Sequence, residues 1–189
     1  MTYIPTVPPA GEPVTLAEAK AHLRVDTDDE DAMIEGLITV AREHLERETG
    51  LALLAQGFRL AFDRWPDDGV IRIERGPVRA IETVTVYDEA GEPSLVSLDD
   101  HLLEGNSRPA RLWLSETPTP GRAINGIEID FIAGFGDTGA DVPGTLKRAM
   151  LSHVALMFSV RGAVSLEDQP AAMPAGYERL IAPYCRRRL

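Results

Sequence analysis

The segment from Asn125 to Gly162 constrains the fold of this chain more than any other. An alternating strand pattern over residues 126–133 leads into a glycine-rich loop, Gly134–Gly139, and then into a strongly apolar helical pattern over 146–161. The loop matches the G-x-G-x-x-G pattern of dinucleotide-binding proteins, in which the third glycine opens a helix and a second strand follows. In this chain other residues separate the third glycine from the helix, and the helical pattern continues where the second strand should be. The segment therefore favours a plain strand-to-helix connection, with Pro143 in the first turn of the helix.

Composition limits the remaining choices. With 189 residues, 44% of them hydrophobic, the chain can bury a core as one domain or as two small ones. The single cysteine, Cys185, excludes an internal disulfide. No apolar run approaches the roughly 18 residues of a membrane span, and the N-terminal residues lack the features of a signal peptide. We therefore expect a soluble cytosolic product with no membrane partner.

The net charge of −11 is unevenly distributed. Residues 1–50 contain eleven acidic and four basic residues, and residues 51–144 contain sixteen and eight, whereas residues 145–189 contain three and seven. An acidic body argues against a protein that grips nucleic acid, because phosphate contacts need clustered Lys and Arg. The basic C-terminal segment suits docking on an acidic partner instead.

The first quarter of the chain predicts an extended arm followed by helices. Residues 1–14 are rich in proline and cannot propagate a helix. Thr15 and Glu18 have the spacing of a capping box, in which each side chain satisfies a backbone N–H at the start of a helix. We predict a short helix that ends at about Leu23.

The acidic run Asp26–Asp31 precedes a second helix that extends to Gly50. Asp28 is the predicted N-cap of this helix. Alternate acids in the run resemble an EF-hand calcium loop, but Asp31 and Leu37 stand where that loop needs glycine and glutamate. The run is typical of a solvated helix start, and we expect no metal there.

Residues 51–140 predict an antiparallel β region. Alternation and β-branched residues indicate strands over 58–62, 70–74, 81–87, 95–98, 111–114 and 126–133. Turns rich in Gly, Pro and Asp separate these strands, which favours an antiparallel sheet or a small sandwich over a βαβ array. Trp65 and Trp113 are expected to pack in the core or at a sheet edge rather than to hold a ligand.

The sequence contains no recognisable catalytic constellation. Its four histidines are scattered, and it has no zinc, nucleophile-elbow or phosphate-loop motif. His153 follows Ser152 on an apolar helix face, but adjacent helical residues point about 100° apart, so we predict a hydrogen-bonded core histidine and no serine–histidine couple. Cys185 is expected to be a surface thiol. We predict a protein with no enzymatic activity, no cofactor and no metal.

Several stretches of the chain are similar to segments of a known protein family, and they occur in the same order along the sequence. They are 14–25 with the acidic run, 37–50, 75–81, 127–136 with Asp141-Val142-Pro143, the helix end Val160-Arg161, and 180–184. This ordered set resembles the tailed-phage head–tail connector (adaptor) family, in particular its longer members with a β insertion, including gene-transfer-agent adaptors. The landmarks span almost the whole chain.

The resemblance and the local patterns together predict an α+β fold. It consists of a helical bundle, made by an N-terminal helix pair and a C-terminal helix, with an inserted antiparallel β region and an extended C-terminal arm. The predicted segments are an N-terminal arm (1–14), the first part of the bundle (15–50), the β region (51–140), the second part of the bundle (141–162) and the C-terminal arm (163–189).

The resemblance implies a structural virion protein at the head–tail junction, synthesised in the host cytoplasm. Members of the family form a closed ring, a dodecamer, below the portal protein and offer a platform for the stopper or tail-completion protein. DNA passes through the lumen of such a ring without specific binding, and an acidic lumen suits this passage.

The C-terminal arm is the predicted portal-binding element. A short helix over Tyr177–Ile181, stopped by Pro183, would supply apolar anchors, and the terminal arginines would orient the contact. The predicted contact residues are Tyr177, Leu180, Ile181, Tyr184, Arg186, Arg187 and Arg188.

Two other functions stay open on the sequence alone. One is a small nucleotide-dependent oxidoreductase that uses the glycines of the Gly134–Gly139 loop. The other is a regulatory module that binds another protein through its helix pair.

Overall fold

A computed structural model describes residues 1–160 and 173–185. The chain divides into two compact units. Met1–Ala10 and Ala55–Phe135 form the first, which we call the β unit, and Gly11–Leu54 with Gly136–Leu189 form the second, which we call the helical unit. The predicted α+β class is confirmed by the helices and antiparallel sheets of the described residues.

The β unit contains two antiparallel sheets. Its strands are β1 (Thr2–Val7), β2 (Gln56–Phe62), β3 (Val70–Ile73), β4 (Val78–Tyr87), β5 (Pro93–Leu95), β6 (Leu102–Glu104), β7 (Ala110–Trp113) and β8 (Ile127–Ala133). The larger sheet has the order β1-β2-β8-β4-β5, and the smaller has the order β3-β7-β6. Every described pair of strands is antiparallel, as the sequence predicts. Short turns connect the pairs β4–β5 and β6–β7, and the other pairs join strands that lie farther apart in the sequence.

One face of the five-stranded sheet forms the core of the β unit. Leu60, Ile129 and Val84 are register partners across its three central strands, and all are fully buried. Phe58 and Phe131 are also partners, and their rings stack at 5.7 Å. The strict alternation of β8, buried at every second residue, places its acidic side chains on the opposite face.

Part of the predicted extended N-terminal arm forms a strand of the larger sheet. Thr2–Val7 pair with β2 as an edge strand, and the Tyr3 hydroxyl accepts a hydrogen bond from the Glu74 N–H at 2.7 Å. Pro5 fits this position, because an edge strand tolerates a residue without an N–H group. Proline enrichment excludes a helix but does not exclude an edge strand, and this is why the strand was not predicted. Strand β6 was also missed.

The helical unit contains α1 (Leu16–Leu23), α2 (Asp31–Thr49), α3 (Gly144–Val160) and α4 (Tyr177–Ile181), followed by a 3-10 turn over Ala182–Tyr184. Helix α3 packs against the other three. Its buried side chains include the predicted core residue His153. None of the helices among residues 1–160 and 173–185 is long and apolar enough to cross a bilayer.

Helix α1 begins with the predicted capping box. The Glu18 N–H donates to the Thr15 hydroxyl at 3.2 Å, and the Glu18 carboxylate accepts from the Thr15 N–H at 2.8 Å. The second oxygen of Glu18 accepts from Lys147 Nζ at 2.8 Å. One glutamate therefore caps α1 and also ties it to α3.

The start of α2 differs from the prediction. Glu30, not Asp28, occupies the N-cap position, and no side chain caps the helix there. Asp28 and Asp31 instead accept hydrogen bonds from Lys20 Nζ at 2.7 and 2.6 Å. The Asp28 side chain thus pairs with a lysine of α1 and does not cap α2. The predicted stop at Gly50 is confirmed, with φ of 71°.

Candidate assembly surfaces

The predicted portal-binding residues lie in several different environments. Tyr177 and Ile181 are 2% and 5% exposed, so both belong to the core of the helical unit. Leu180 and Tyr184 are half-buried. Arg186, Arg187 and Arg188 lie outside the described residues. Tyr177 and Ile181 therefore lie in a packed helix and not in an extended arm, and they offer little surface to a partner. The portal contact itself stays a prediction.

Tyr177 packs in a cluster of three rings. Its ring centroid lies 5.6 Å from that of His153 and 5.9 Å from that of His44, and the two imidazoles are 5.1 Å apart. Burial raises the pKa of the Tyr177 hydroxyl and lowers the pKa of His44. The spacing of Tyr177 and Ile181, four residues apart, places both on one helix face, and this is the sequence signal for a buried helix that we overlooked.

A largely buried network of ion pairs is centred on α2, and no pattern in the sequence predicts it. The Arg42 guanidinium donates to Glu12 at 2.8 Å and to Glu46 at 3.1 Å. Glu12 also accepts from the Thr39 hydroxyl at 2.9 Å, and Glu46 accepts from the Leu53 N–H at 2.8 Å. The network connects the chain before α1 and the chain after α2 to the middle of α2, so its role is structural.

The glycine-rich loop is filled by groups of the protein itself. A Cβ at Gly136 would lie 2.2 Å from the Asp141 side chain, and a Cβ at Gly139 would lie 2.3 Å from the Pro13 carbonyl oxygen. The Asp141 carboxylate accepts hydrogen bonds from the Thr138 N–H and hydroxyl at 3.0 and 2.9 Å. A carboxylate in this position repels an anion, so the loop does not fit a pyrophosphate.

The open face of the five-stranded sheet carries a polar ladder. Arg59 donates to both oxygens of Asp130 at 2.7 and 2.8 Å, and Tyr87 donates to Glu128 at 2.9 Å. The hydrogen bonds from Arg59 lower the pKa of Asp130, and the hydrogen bond to Glu128 raises the pKa of Tyr87. Arg59 thus holds Asp130 in its charged form, which suits a structural ladder and not proton transfer.

The outer face of the three-stranded sheet is partly apolar. Val70, Trp113 and Leu102 are register partners across its strands. Trp113 is 42% exposed and Leu102 is 66% exposed, so neither packs in the core. They line a groove of about 300 Å³. Trp113 had been expected to pack in the core or at a sheet edge, but it lies on the central strand of this sheet and faces outward.

Within the described part of the chain, no group of three or more histidine, cysteine, aspartate or glutamate side chains is arranged to hold a metal ion. Ser152 donates its hydroxyl to the Arg148 carbonyl at 2.9 Å.

Comparison with known proteins shows which family and which solved structures this chain resembles. The family described as phage gp6-like head-tail connector protein matches residues 13–93. A chain in the neck of an empty gene transfer agent (GTA) particle, computed with C6 symmetry, superposes with a TM-score of 0.83 at 26% identity, and the match covers 100% of this chain and 97% of that one. The predicted resemblance to head–tail connectors is confirmed.

Two further solved structures agree over the same extent. A chain in the virion of a native GTA particle gives a TM-score of 0.82 at 26% identity, and a chain in the neck of a native GTA particle, computed with C12 symmetry, gives 0.78 at 28%. Each match covers 100% of this chain and 97% of the other. No curated protein matches this chain significantly. The structural likeness to these GTA chains therefore includes the residues after 93, which the family match does not cover.

Proposed function

We propose that this chain is a structural adaptor at the head–tail junction of a phage or gene-transfer-agent particle. The observation that carries the proposal is the likeness of the whole chain, at a TM-score of 0.83, to a subunit of a GTA neck. The match to head-tail connectors over residues 13–93 supports the same role independently of the fold.

The adaptor acts as an oligomeric ring. The similar neck chains belong to assemblies computed with C6 and C12 symmetry, and a cyclic ring needs two different complementary surfaces on each subunit. We propose a dodecamer that meets the portal protein on one side and the stopper or tail-completion protein on the other. DNA passes through the lumen without specific binding, because the net charge of −11 repels phosphate.

The portal contact is assigned to the end of the chain. Because Tyr177 and Ile181 are buried, we propose that the half-buried Leu180 and Tyr184 form the apolar part of the contact. Arg186, Arg187 and Arg188 supply positive charge that orients it on an acidic portal surface. The burial of Tyr177 also means that removal of everything after Gly176 would damage the helical unit.

A shorter deletion tests the portal contact. Removal of Arg186–Leu189 should leave the circular dichroism spectrum unchanged and reduce the yield of tailed particles, because the core residues of α4 are retained. Exchange of the three arginines for lysine is the matched control, since it keeps the charge and should keep most of the tailed particles. Normal tail attachment after the deletion would show that the portal contact lies elsewhere.

The oxidoreductase alternative makes a separate prediction. Titration with NAD or FAD should leave the melting temperature unchanged if the glycine loop is a connection. A ligand that binds at micromolar concentration would raise the melting temperature at saturation by mass action. Such a rise would favour the enzyme.

A further inference from the structure

We infer that the groove on the three-stranded sheet receives the β4–β5 hairpin of a neighbouring copy of this chain in the ring. The inference rests on the proposed function, because it starts from a ring of identical copies. It assigns the two complementary surfaces that such a ring requires, and both lie on the β unit.

The receiving surface combines an apolar row with a charged row. Val70, Trp113 and Leu102 form the apolar row described above. In the adjacent row, Arg72, Arg111 and Glu104 are register partners across the three strands. This row contains the two arginines that an anionic partner would contact.

Both arginines stay available to a partner. Arg72 pairs with Asp68 at 2.6 Å, and Arg111 donates through Nε to Glu104 at 2.6 Å. The two arginine side chains nevertheless remain 50% and 61% exposed. A guanidinium has five N–H donors, so one carboxylate does not saturate it.

The inserted surface is the hairpin between β4 and β5. Its turn, residues 88–92, has the sequence Asp-Glu-Ala-Gly-Glu, with Glu89 and Glu92 exposed. Leu95 follows on β5 and is 75% exposed, the highest value among the exposed large hydrophobic side chains of the described residues. The hairpin therefore presents acidic groups next to an exposed leucine, which complements two half-exposed arginines next to an apolar groove.

The hairpin is held rigid before it meets a partner. The Asp88 carboxylate accepts a hydrogen bond from the Glu92 N–H at 2.9 Å, and the Asp88 carbonyl accepts from the Gly91 N–H at 3.1 Å. The Gly121 N–H donates to the Tyr87 carbonyl at 2.8 Å, and a Cβ at Gly121 would lie 2.2 Å from the Glu89 nitrogen. A preorganised projection loses little conformational entropy when it docks.

Groove and hairpin are different surfaces of one chain, so their contact is head-to-tail. A contact of this kind repeats around an axis and closes into a ring when the rotation allows. Similar chains occur in necks computed with C6 and C12 symmetry, which makes a second copy the occupant that the observations favour.

Cysteine cross-linking in assembled particles tests the contact. Leu95→Cys and Leu102→Cys are combined in a Cys185→Ser background, and purified particles are treated with a short bis-maleimide. The double variant should give a ladder of multimers on a denaturing gel. Each single variant should stay monomeric, and particles built from a mixture of the two single variants should give dimers and nothing larger.

The matched control replaces Leu95→Cys with Ile124→Cys, at a site that is 73% exposed on the same unit, and should give no ladder. Particles that contain the double variant but give no multimers would overturn the inference while the adaptor function stands. A cross-link to a different virion protein would also overturn it, because the groove would then receive that protein. Absence of the protein from the neck in immunogold labelling would overturn the adaptor function itself.

Discussion

At the scale of single residues, the helical unit depends on charges that are buried and paired. Arg42 and Glu46 are both 8% exposed, so neither charge is solvated by bulk water. A buried ion whose partner is removed keeps its desolvation cost and loses its compensation. Substitution of a residue in such a pair should therefore lower the stability of the protein, although the residue has a structural role and not a catalytic one.

Substitution of Arg42 by alanine should lower the free energy of unfolding by about 3–5 kcal/mol, because it leaves Glu46 buried without a counter-charge. Urea denaturation followed by circular dichroism measures this loss. Glu43→Ala is the control: its carboxylate lies 3.7 Å from Arg42 and is 63% exposed, so the loss should stay below about 1 kcal/mol. Equal losses in the two variants would contradict the account.

The histidines make stability depend on pH. Burial lowers the pKa of His44 below its ordinary value of 6.5, and burial followed by the charge of Arg148 does the same for His22. Between the lowered folded pKa and 6.5, the unfolded chain binds more protons than the folded one. The free energy of unfolding should therefore fall as the pH drops below about 6.5, and His44→Gln should reduce the fall. Denaturation curves at several pH values measure it, and an identical pH dependence in the variant would be the contrary result.

At the scale of elements, local signals specified helices better than strand partners. The capping box of Thr15 and the stop at Gly50 were predictable because both depend on residues close in sequence. Strand β1 was not, because it pairs with β2 about fifty residues away and its sequence marks only an extended chain. The burial of α4 was not predicted either. The basic residues around this helix suggested an exposed segment, although Tyr177 and Ile181 are buried.

Loss of the α1 cap should be measurable but modest. Thr15→Ala removes the acceptor for the Glu18 N–H and should destabilise the protein by about 1 kcal/mol. Thr27→Ala, at an exposed position between α1 and α2, should change stability by less than about 0.5 kcal/mol. Thermal unfolding of the two variants and the wild type compares them. If Thr15→Ala were as stable as Thr27→Ala, the capping box would contribute nothing to folding.

At the scale of the whole molecule, the order of segments carried the functional prediction. The resemblance to connectors was visible because its landmarks follow one another along the chain, and the structural likeness to a chain of a GTA neck covers 100% of the residues. The apolar groove at Trp113 could not be predicted from the sequence, because a tryptophan in a strand is usually a packing residue. Whether its side chain faces the core or the solvent depends on how the strand pairs with its neighbours, β3 and β6.

Cryo-electron microscopy of the particles that contain this protein tests the central claim most directly. The account predicts a ring of copies at the head–tail junction, with density that accommodates both the helical unit and the β unit of this chain. Loss of the gene should leave DNA-filled or empty heads that lack tails. Complete tailed particles in which this chain is absent from the junction would contradict the adaptor function.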